Sequence, residues 1–318
     1  MPAALSAQPW IVAVLLLLAP IVAAPPDAAF NVETLTDGVH LFRPGDGQIE
    51  RTNALVIERE DGLLIVGAQP TAAAARELIG AVGRHVDGEI RYLVLPHSHA
   101  EAAGGTSAFP ESVLVIATQA FDQALDDEQY DFGAETRRRA SAGADWQPPA
   151  RPTATLLLEA RVVLADPLNK VEIVPFGGLH SSGDLLVRVA DDDVIYVGAL
   201  LFPNGDPYAG QDPRDSDIAR WTGQLSQLVR QHPQKLVPLR GPVIGFDEVR
   251  RQRNALSWLQ AQVDDGVADD LPLEQVRDRI LAAESIAEHF DVDSPFLLSF
   301  IDKAIDEVVI DHRKRQRS

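Results

Sequence analysis

Residues 90–105, IRYLVLPHSHAEAAGG, place a short buried strand directly ahead of two histidines. Ile90 to Leu95 has the length and the β-favouring apolar content of a strand sealed inside a sheet. It runs straight into Pro96-His97-Ser98-His99. Histidines at i and i+2 face the same way where extended geometry persists, so both imidazoles are presented to one point. Histidine is the commonest metal ligand, yet a His-x-His pair also arises by chance and by itself is a weak signal. A second stretch, residues 175–184, PFGGLHSSGD, strengthens it. Here a strand end and a Gly-rich turn lead to His180, followed by a Ser-Ser-Gly-Asp turn. Both histidine sites lie where a strand gives way to an irregular loop, and such loops on a rigid scaffold are where functional groups concentrate.

Working outward, the chain alternates hairpins with covering helices. Phe30 to Phe42 alternates weakly and predicts one opening strand. Thr52 to Glu58 and Leu63 to Val66 predict a hairpin turned at Glu60-Asp61-Gly62. Thr71 to Val86 is Ala-rich with helical apolar spacing. Val113 to Ile116 predicts a strand, Phe121 to Ala144 a charged helix, and Trp146 to Pro152 a Pro-rich loop. Strands return at Thr155 to Leu158, Arg161 to Leu164, Val171 to Val174, Leu185 to Val189 and Val194 to Val197. Ser216 to Gln231 reads as an amphipathic helix and Lys235 to Pro238 as a last short strand. From about Phe246 only helices follow: Glu248 to Val263, Leu273 to Ala287 and Pro295 to Ile310. This mixture predicts an α+β fold with two sheets packed face to face, helices outside, and a helical C-terminal extension.

With its landmarks in order, the chain resembles the metallo-β-lactamase superfamily from about Val32 to Val243. The stretches that carry the likeness are LLIVGAQ, LPHSHAEAAGG, GGLHSSGD, VIYVGALLF and LVPLRGP. The resemblance implies a four-layer αβ/βα sandwich over residues 25–245 and a helical extension over 246–318. It also implies a metal centre, and here the ligand positions diverge. His97, His99 and His180 fill the three positions of the family's first metal site. Glu101 stands where the family has Asp, and Ala102 where it has His. Ala199 replaces the bridging Asp, Arg240 the last His, and Gly67 the Asp that closes the early strand.

The expectation is therefore at most one metal ion, zinc, on three histidines, because three protein ligands and a water form a known catalytic zinc arrangement. Glu101 would orient or deprotonate that water, and Arg240 would help polarise a small-molecule substrate. A guanidinium also matches a carboxylate fork, so Arg240 is expected to reach in and pair with Glu101. The competing reading is a relic: a fold kept for binding, its histidines surviving as hydrogen-bonding groups. Asp184 is expected to bond loop backbone, and Gly104 and Gly105 to permit close backbone approach. Ser181 and Ser182 lack a base-and-acid pair that would make either a nucleophile. His40, His85, His232 and His289 belong to no constellation.

Composition narrows the partners. Of 318 residues, 28 are Lys or Arg and 47 are Asp or Glu, a net charge of -19. So acidic a surface repels phosphate backbones and discounts nucleic acid as a partner. The hydrophobic fraction of 46% is ample for a large core. The absence of cysteine removes disulfides, thiolate ligands and a cysteine nucleophile. Trp10 to Ala24, WIVAVLLLLAPIVAA, is short for a membrane span and suits the core of an export signal covering residues 1–24, with Val22-Ala23-Ala24 as the cleavage site. No basic residue precedes Arg43, so an uncleaved N-terminal anchor is the alternative and would be the chain's one tie to a membrane. Either way the expected location is periplasmic or secreted. The basic end, His312 to Ser318, reads as a solvated terminus.

Overall fold

The computed structural model describes residues 29–45, 51–127, 132, 149–190, 192–202 and 217–315. The leader lies outside them, as do most of the expected 121–144 helix and residues 46–50 and 203–216.

The first sheet follows from alternation. In β3 (Ala54–Arg59), β4 (Gly62–Val66), β5 (Ile90–Val94) and β6 (Leu114–Thr118), successive residues are apolar but belong to opposite faces. Leu55, Ile57, Leu64, Val66, Val94 and Ile116 enter one buried cluster. Ala54, Val56, Leu63, Ile65, Leu93, Val115 and Ala117 enter another. A sheet buried on both sides reads as a continuous apolar run, which is why these strands stand out in the sequence. Strands β4, β5 and β6 are parallel, and parallel neighbours need a crossover. Helix α1 (Ala72–His85), started by the Thr71 side chain accepting from the Ala74 amide, supplies the first.

The expected single opening strand is instead a hairpin of β1 (Phe30–Thr36) and β2 (Val39–Pro44), antiparallel to each other. Gly38 at φ 66 makes the turn. The Asp37-Gly38 dipeptide, a strong hairpin signal, lies inside the weak alternation. With β7 (Leu156–Leu158) the sheet order is β1-β2-β3-β4-β5-β6-β7.

The second sheet is β12-β11-β10-β9-β8, made of β8 (Val162–Leu164), β9 (Val171–Pro175), β10 (Leu185–Val189), β11 (Val194–Gly198) and β12 (Lys235–Pro238). Leu185, Val187, Val189, Val194, Tyr196 and Val237 face the first sheet across the shared cluster. Leu186, Ile195, Val197 and Leu236 face outward into a third cluster. Helices cover both outer faces, so the chain is the expected four-layer α+β sandwich.

On the first sheet's outer face lie α1, α2 (Ala100–Ala103) and α3 (Gln119–Asp126). On the second lie α4 (Ile218–Arg230), α5 (Phe246–Ala268), α6 (Leu273–Leu281), α7 (Ile286–His289) and α8 (Leu297–Arg315). Val249, Leu256, Leu259, Val276, Ile280 and Phe300 of this C-terminal run share one cluster with Trp221 of α4 and the second sheet. Among the described residues no helix is long and apolar enough to cross a membrane.

Candidate metal centre

Two loops meet at the same edge of the two sheets. In the first, β5 ends at Val94 and the chain continues through Leu95 and Pro96 to His97. The Leu95 amide donates to Ile116 O at 2.9 Å, and Pro96 O accepts from the Leu185 amide, also at 2.9 Å, so the strand end is tied to both sheets. His99 then caps the single turn α2, which carries Glu101 and Ala102. Gly104 and Gly105 close the turn, as expected, under tight backbone contact. A Cβ at Gly105 would meet Ala68 O at 2.1 Å, and one at Gly104 would meet Pro70 O at 2.2 Å.

In the second loop, between β9 and β10, the Asp184 carboxylate organises the turn around His180. Its Oδ2 accepts from the amides of Leu179 at 2.9 Å, His180 at 2.7 Å and Ser181 at 3.1 Å. Its Oδ1 accepts from the Ser181 hydroxyl at 3.0 Å. That hydroxyl in turn accepts from the Ser98 amide at 3.2 Å, joining the two histidine loops. Burial pushes the Asp184 pKa up, against the opposing pull of His97 and of the backbone donors. Ser181 is thereby a structural link, in keeping with the absence of a nucleophile signal.

The loops bring four donors together. His97, His99, Glu101 and His180 each offer one ligand atom, and these atoms lie within 4.8 Å of one another. His99 Nδ1 is 3.0 Å from His180 Nε2, His97 Nε2 is 3.1 Å from Glu101 Oε1, and His99 Nδ1 is 3.6 Å from the same oxygen. The three imidazole rings stand edge to face at centroid distances of 5.3, 5.1 and 4.8 Å. All four residues are buried, with Glu101 0% exposed. Glu101 Oε2 and His97 Nδ1 are buried without a hydrogen-bond partner. Burial alone would raise the Glu101 pKa, but His97 and His99 outweigh it and hold the carboxyl well below its usual range.

The donor set fits a metal. Bonds of about 2.0–2.1 Å from a tetrahedral ion put ligand nitrogens roughly 3.4 Å apart. The observed spacings bracket that value. A divalent ion there would also take up the charge of the buried carboxylate and satisfy its Oε2, which has no hydrogen-bond partner.

The other half of the cleft is different. Ala102 and Ala199 offer no ligand atoms, and Gly67, at φ 93, opens a loop with Gln69 at φ 67. Gln69 is fully buried, its Nε2 donating to Thr52 O at 2.8 Å and its Oε1 accepting from the Thr52 amide at 3.2 Å. The Thr52 hydroxyl donates to Glu101 O at 3.3 Å, and the Ala68 amide to Ala102 O at 2.7 Å. Arg240 is half-buried with Nε and Nη2 shielded from solvent, so it does not swing outward.

The expected Arg240–Glu101 ion pair is not formed. The partners of Glu101 within 4.0 Å are His97 and His99, because the side chain turns toward the imidazoles. Arg240 and Glu101 still act on a common neighbour, Tyr196. Burial pushes its phenol well up, Arg240 opposes the rise, and Glu101 adds to it.

Sequence reasoning missed Asn53. Its Nδ2 donates to Pro238 O at 2.8 Å and Gly241 O at 2.9 Å, and its amide to Leu239 O at 2.7 Å, which clamps the Arg240 loop. An Asn just ahead of an apolar strand was the available signal. It also missed Trp221, whose ring stands 6.3 Å from that of His180 and whose Nε1 donates to Leu200 O at 3.0 Å. Gln252 of α5 bonds the same carbonyl at 2.7 Å and the Phe202 amide at 2.8 Å, so the C-terminal helices hold the turn after Ala199. Four of the histidines outside the site have ordinary surroundings. His40 bonds Thr34 and Glu58, His85 bonds Ala81 O, His232 stacks on Phe246, and His289 lies against Trp258.

No protein-family profile matches the sequence, and no curated protein matches it. Solved structures do. The stereoselective inverting sec-alkylsulfatase Pisa1 from Pseudomonas sp. superposes with a TM-score of 0.69 at 16% identity, over 87% of this chain and 49% of that one. The present chain thus spans about half the length of that relative. A metallo-β-lactamase from Pontibacter korlensis gives a TM-score of 0.55 at 15% identity, over 72% of this chain and 99% of that one. The DIM-1 metallo-β-lactamase gives 0.56 at 15%, over 73% and 98%. At such identities the likeness is one of fold, and the chain has the metallo-β-lactamase fold.

Proposed function

We propose that the protein is a mono-zinc hydrolase of a small ester, lactone, thioester or amide. The observation that carries this reading is the convergence of His97 Nε2, His99 Nδ1 and His180 Nε2 on one buried point. Zinc held there supplies Lewis acidity and brings the pKa of a bound water toward about 7. The chain's own residues do the rest. The Asp184–Ser181–Ser98 link fixes the two histidine loops relative to each other. Glu101, whose Oε1 lies 3.1 Å from His97 Nε2, is the proton acceptor beside the reacting centre. Arg240, held by the Asn53 clamp, places a permanent positive charge where negative charge develops on substrate oxygen.

A second reading is a non-catalytic metal- or ligand-binding protein on the same scaffold. The burial of Glu101, His97 and His180, at 0%, 1% and 1% exposure, favours it, because a substrate must reach the centre to be turned over. Elemental analysis of tag-free protein followed by a hydrolase substrate panel separates the two. One zinc with turnover supports the hydrolase, metal without turnover supports the binding protein, and neither metal nor turnover removes both metal readings. The proposal extends to location: Trp10 to Ala24 acts as an export signal, and the mature enzyme works in the periplasm or outside the cell. The intact mass of protein from the envelope fraction tests it, and a mature chain retaining Trp10 would mean an anchor.

A further inference from the structure

We infer that Glu101 is the fourth protein ligand of the metal, so that the resting site is closed by the protein's own carboxylate and opens only when that carboxylate lets go. This rests on the metal reading above and concerns how the same site is regulated.

The geometry starts from α2. His97 lies two residues ahead of the α2 N-cap and Glu101 in its first turn, and the chain between them brings Glu101 Oε1 to 3.1 Å from His97 Nε2. Its arm is one methylene longer than the aspartate that the resemblance places here. Glu101 Oε1 therefore lies among the histidine nitrogens, 3.1 Å from His97 Nε2 and 3.6 Å from His99 Nδ1. The imidazole pair His99 Nδ1 and His180 Nε2 is spaced by 3.0 Å. The carboxylate oxygen thus stands from two of the nitrogens about as His99 Nδ1 stands from His180 Nε2. Four donors on one tetrahedral ion have that relation, whereas a general base acting through a water sits one shell further out.

Burial points the same way. Glu101 has no exposed surface, and its Oε2 has no hydrogen-bond partner. Its ionic contacts are to His97 and His99, which are neutral when they ligate a metal. A divalent ion between the four donors would take up the carboxylate's charge and leave the imidazoles neutral. Zinc sites with four protein ligands are closed, and catalytic ones keep a position for water or substrate. For turnover, the Glu101 carboxylate must leave the metal, and the freed group is then the base in the correct place. The residue is gate and base in succession.

Cobalt(II) substituted into the full chain reports this without any need for turnover, because its visible d–d bands respond to coordination number and to added anions. In the unmodified protein the spectrum is expected to be that of a four-coordinate ion and to stay unchanged on adding azide. In Glu101→Ala and Glu101→Gln, azide is expected to take the vacated position and alter the spectrum. Cobalt affinity should fall by more than the ~10–100-fold typical of losing an outer-shell partner. Azide altering the unmodified protein's spectrum as it alters the variants' would show an open fourth position and overturn the inference while leaving the metal reading intact. A folded unmodified protein that takes up no cobalt would overturn the metal reading itself and leave Glu101 and His97 as a plain ion pair. The decisive azide test on the unmodified protein does not depend on either variant folding.

Discussion

One half of the cleft holds four donor atoms within 4.8 Å of one another, and the other holds none at Ala102 or Ala199. Both halves are equally well built. On the donor side, Asp184, Ser181 and Ser98 bond loop to loop. On the other, Gln69, Thr52 and Asn53 bond backbone across three strand ends. The difference teaches that the cleft's scaffold does not depend on a donor side chain at every position. Buried amides and carbonyls must be satisfied, and side chains such as Asn53 and Gln69 do that with neutral hydrogen bonds. A cluster of three imidazoles and a carboxylate has no such neutral solution and needs a cation or a proton.

The sharpest way to break the contrast is His180→Ala. The variant leaves two imidazoles and a carboxylate from one loop, without the donor that the second loop supplies. Bound metal is expected to fall from one equivalent to none by elemental analysis of the purified variant. Retention of a full equivalent would show that His180 is not a ligand.

Next in size is Trp221→Ala, which removes the aromatic wall between His180 and the C-terminal helices. Trp221 is 0% exposed. A loss of ~3–5 kcal/mol is expected in urea unfolding. A change below about 1 kcal/mol, the scale of a surface substitution, would mean that the helices do not depend on this contact.

Asn53→Ala probes the donor-free half. It leaves Pro238 O and Gly241 O without their side-chain donor and should cost ~1–3 kcal/mol. Metal content should stay at one equivalent, because the clamp does not touch the donor set. Loss of metal along with stability would show that the two halves are coupled.

The smallest effect is expected from Ala102→His. One restored imidazole, with Ala199 and Arg240 still lacking as ligands, should leave metal content at one equivalent. A second equivalent would show that Glu101 and one histidine suffice to rebuild the lost site.

Much of this was legible in the sequence, for identifiable reasons. His97 and His99 are two residues apart, and His180 sits in a turn whose Asp184 was expected to bond backbone and does so three times through Oδ2. Gly104 and Gly105 announced the backbone approach that a Cβ would block. The Arg240–Glu101 pair failed because adjacency inferred from aligned loops carries no side-chain direction, and Glu101 turned to the histidines instead. Gln69 gave no signal: a glutamine at φ 67 is not written in any local pattern.

The sequence by itself determined the central strands and their two-sided burial, because side-chain period and chain sterics act over a few residues. Leu55 and Val56 face opposite clusters as their alternation requires. Tertiary structure alone decided which strand joins which sheet. β7 and β8 are separated by Glu159, Ala160 and Arg161, yet they pair in different sheets. It alone decided that His180 meets His99 across 81 residues of chain, and that Glu101 turns inward to join them. Those outcomes depend on how two sheets stack and how two loops lock at their common edge, and that packing is set by the whole core at once rather than by any window of residues.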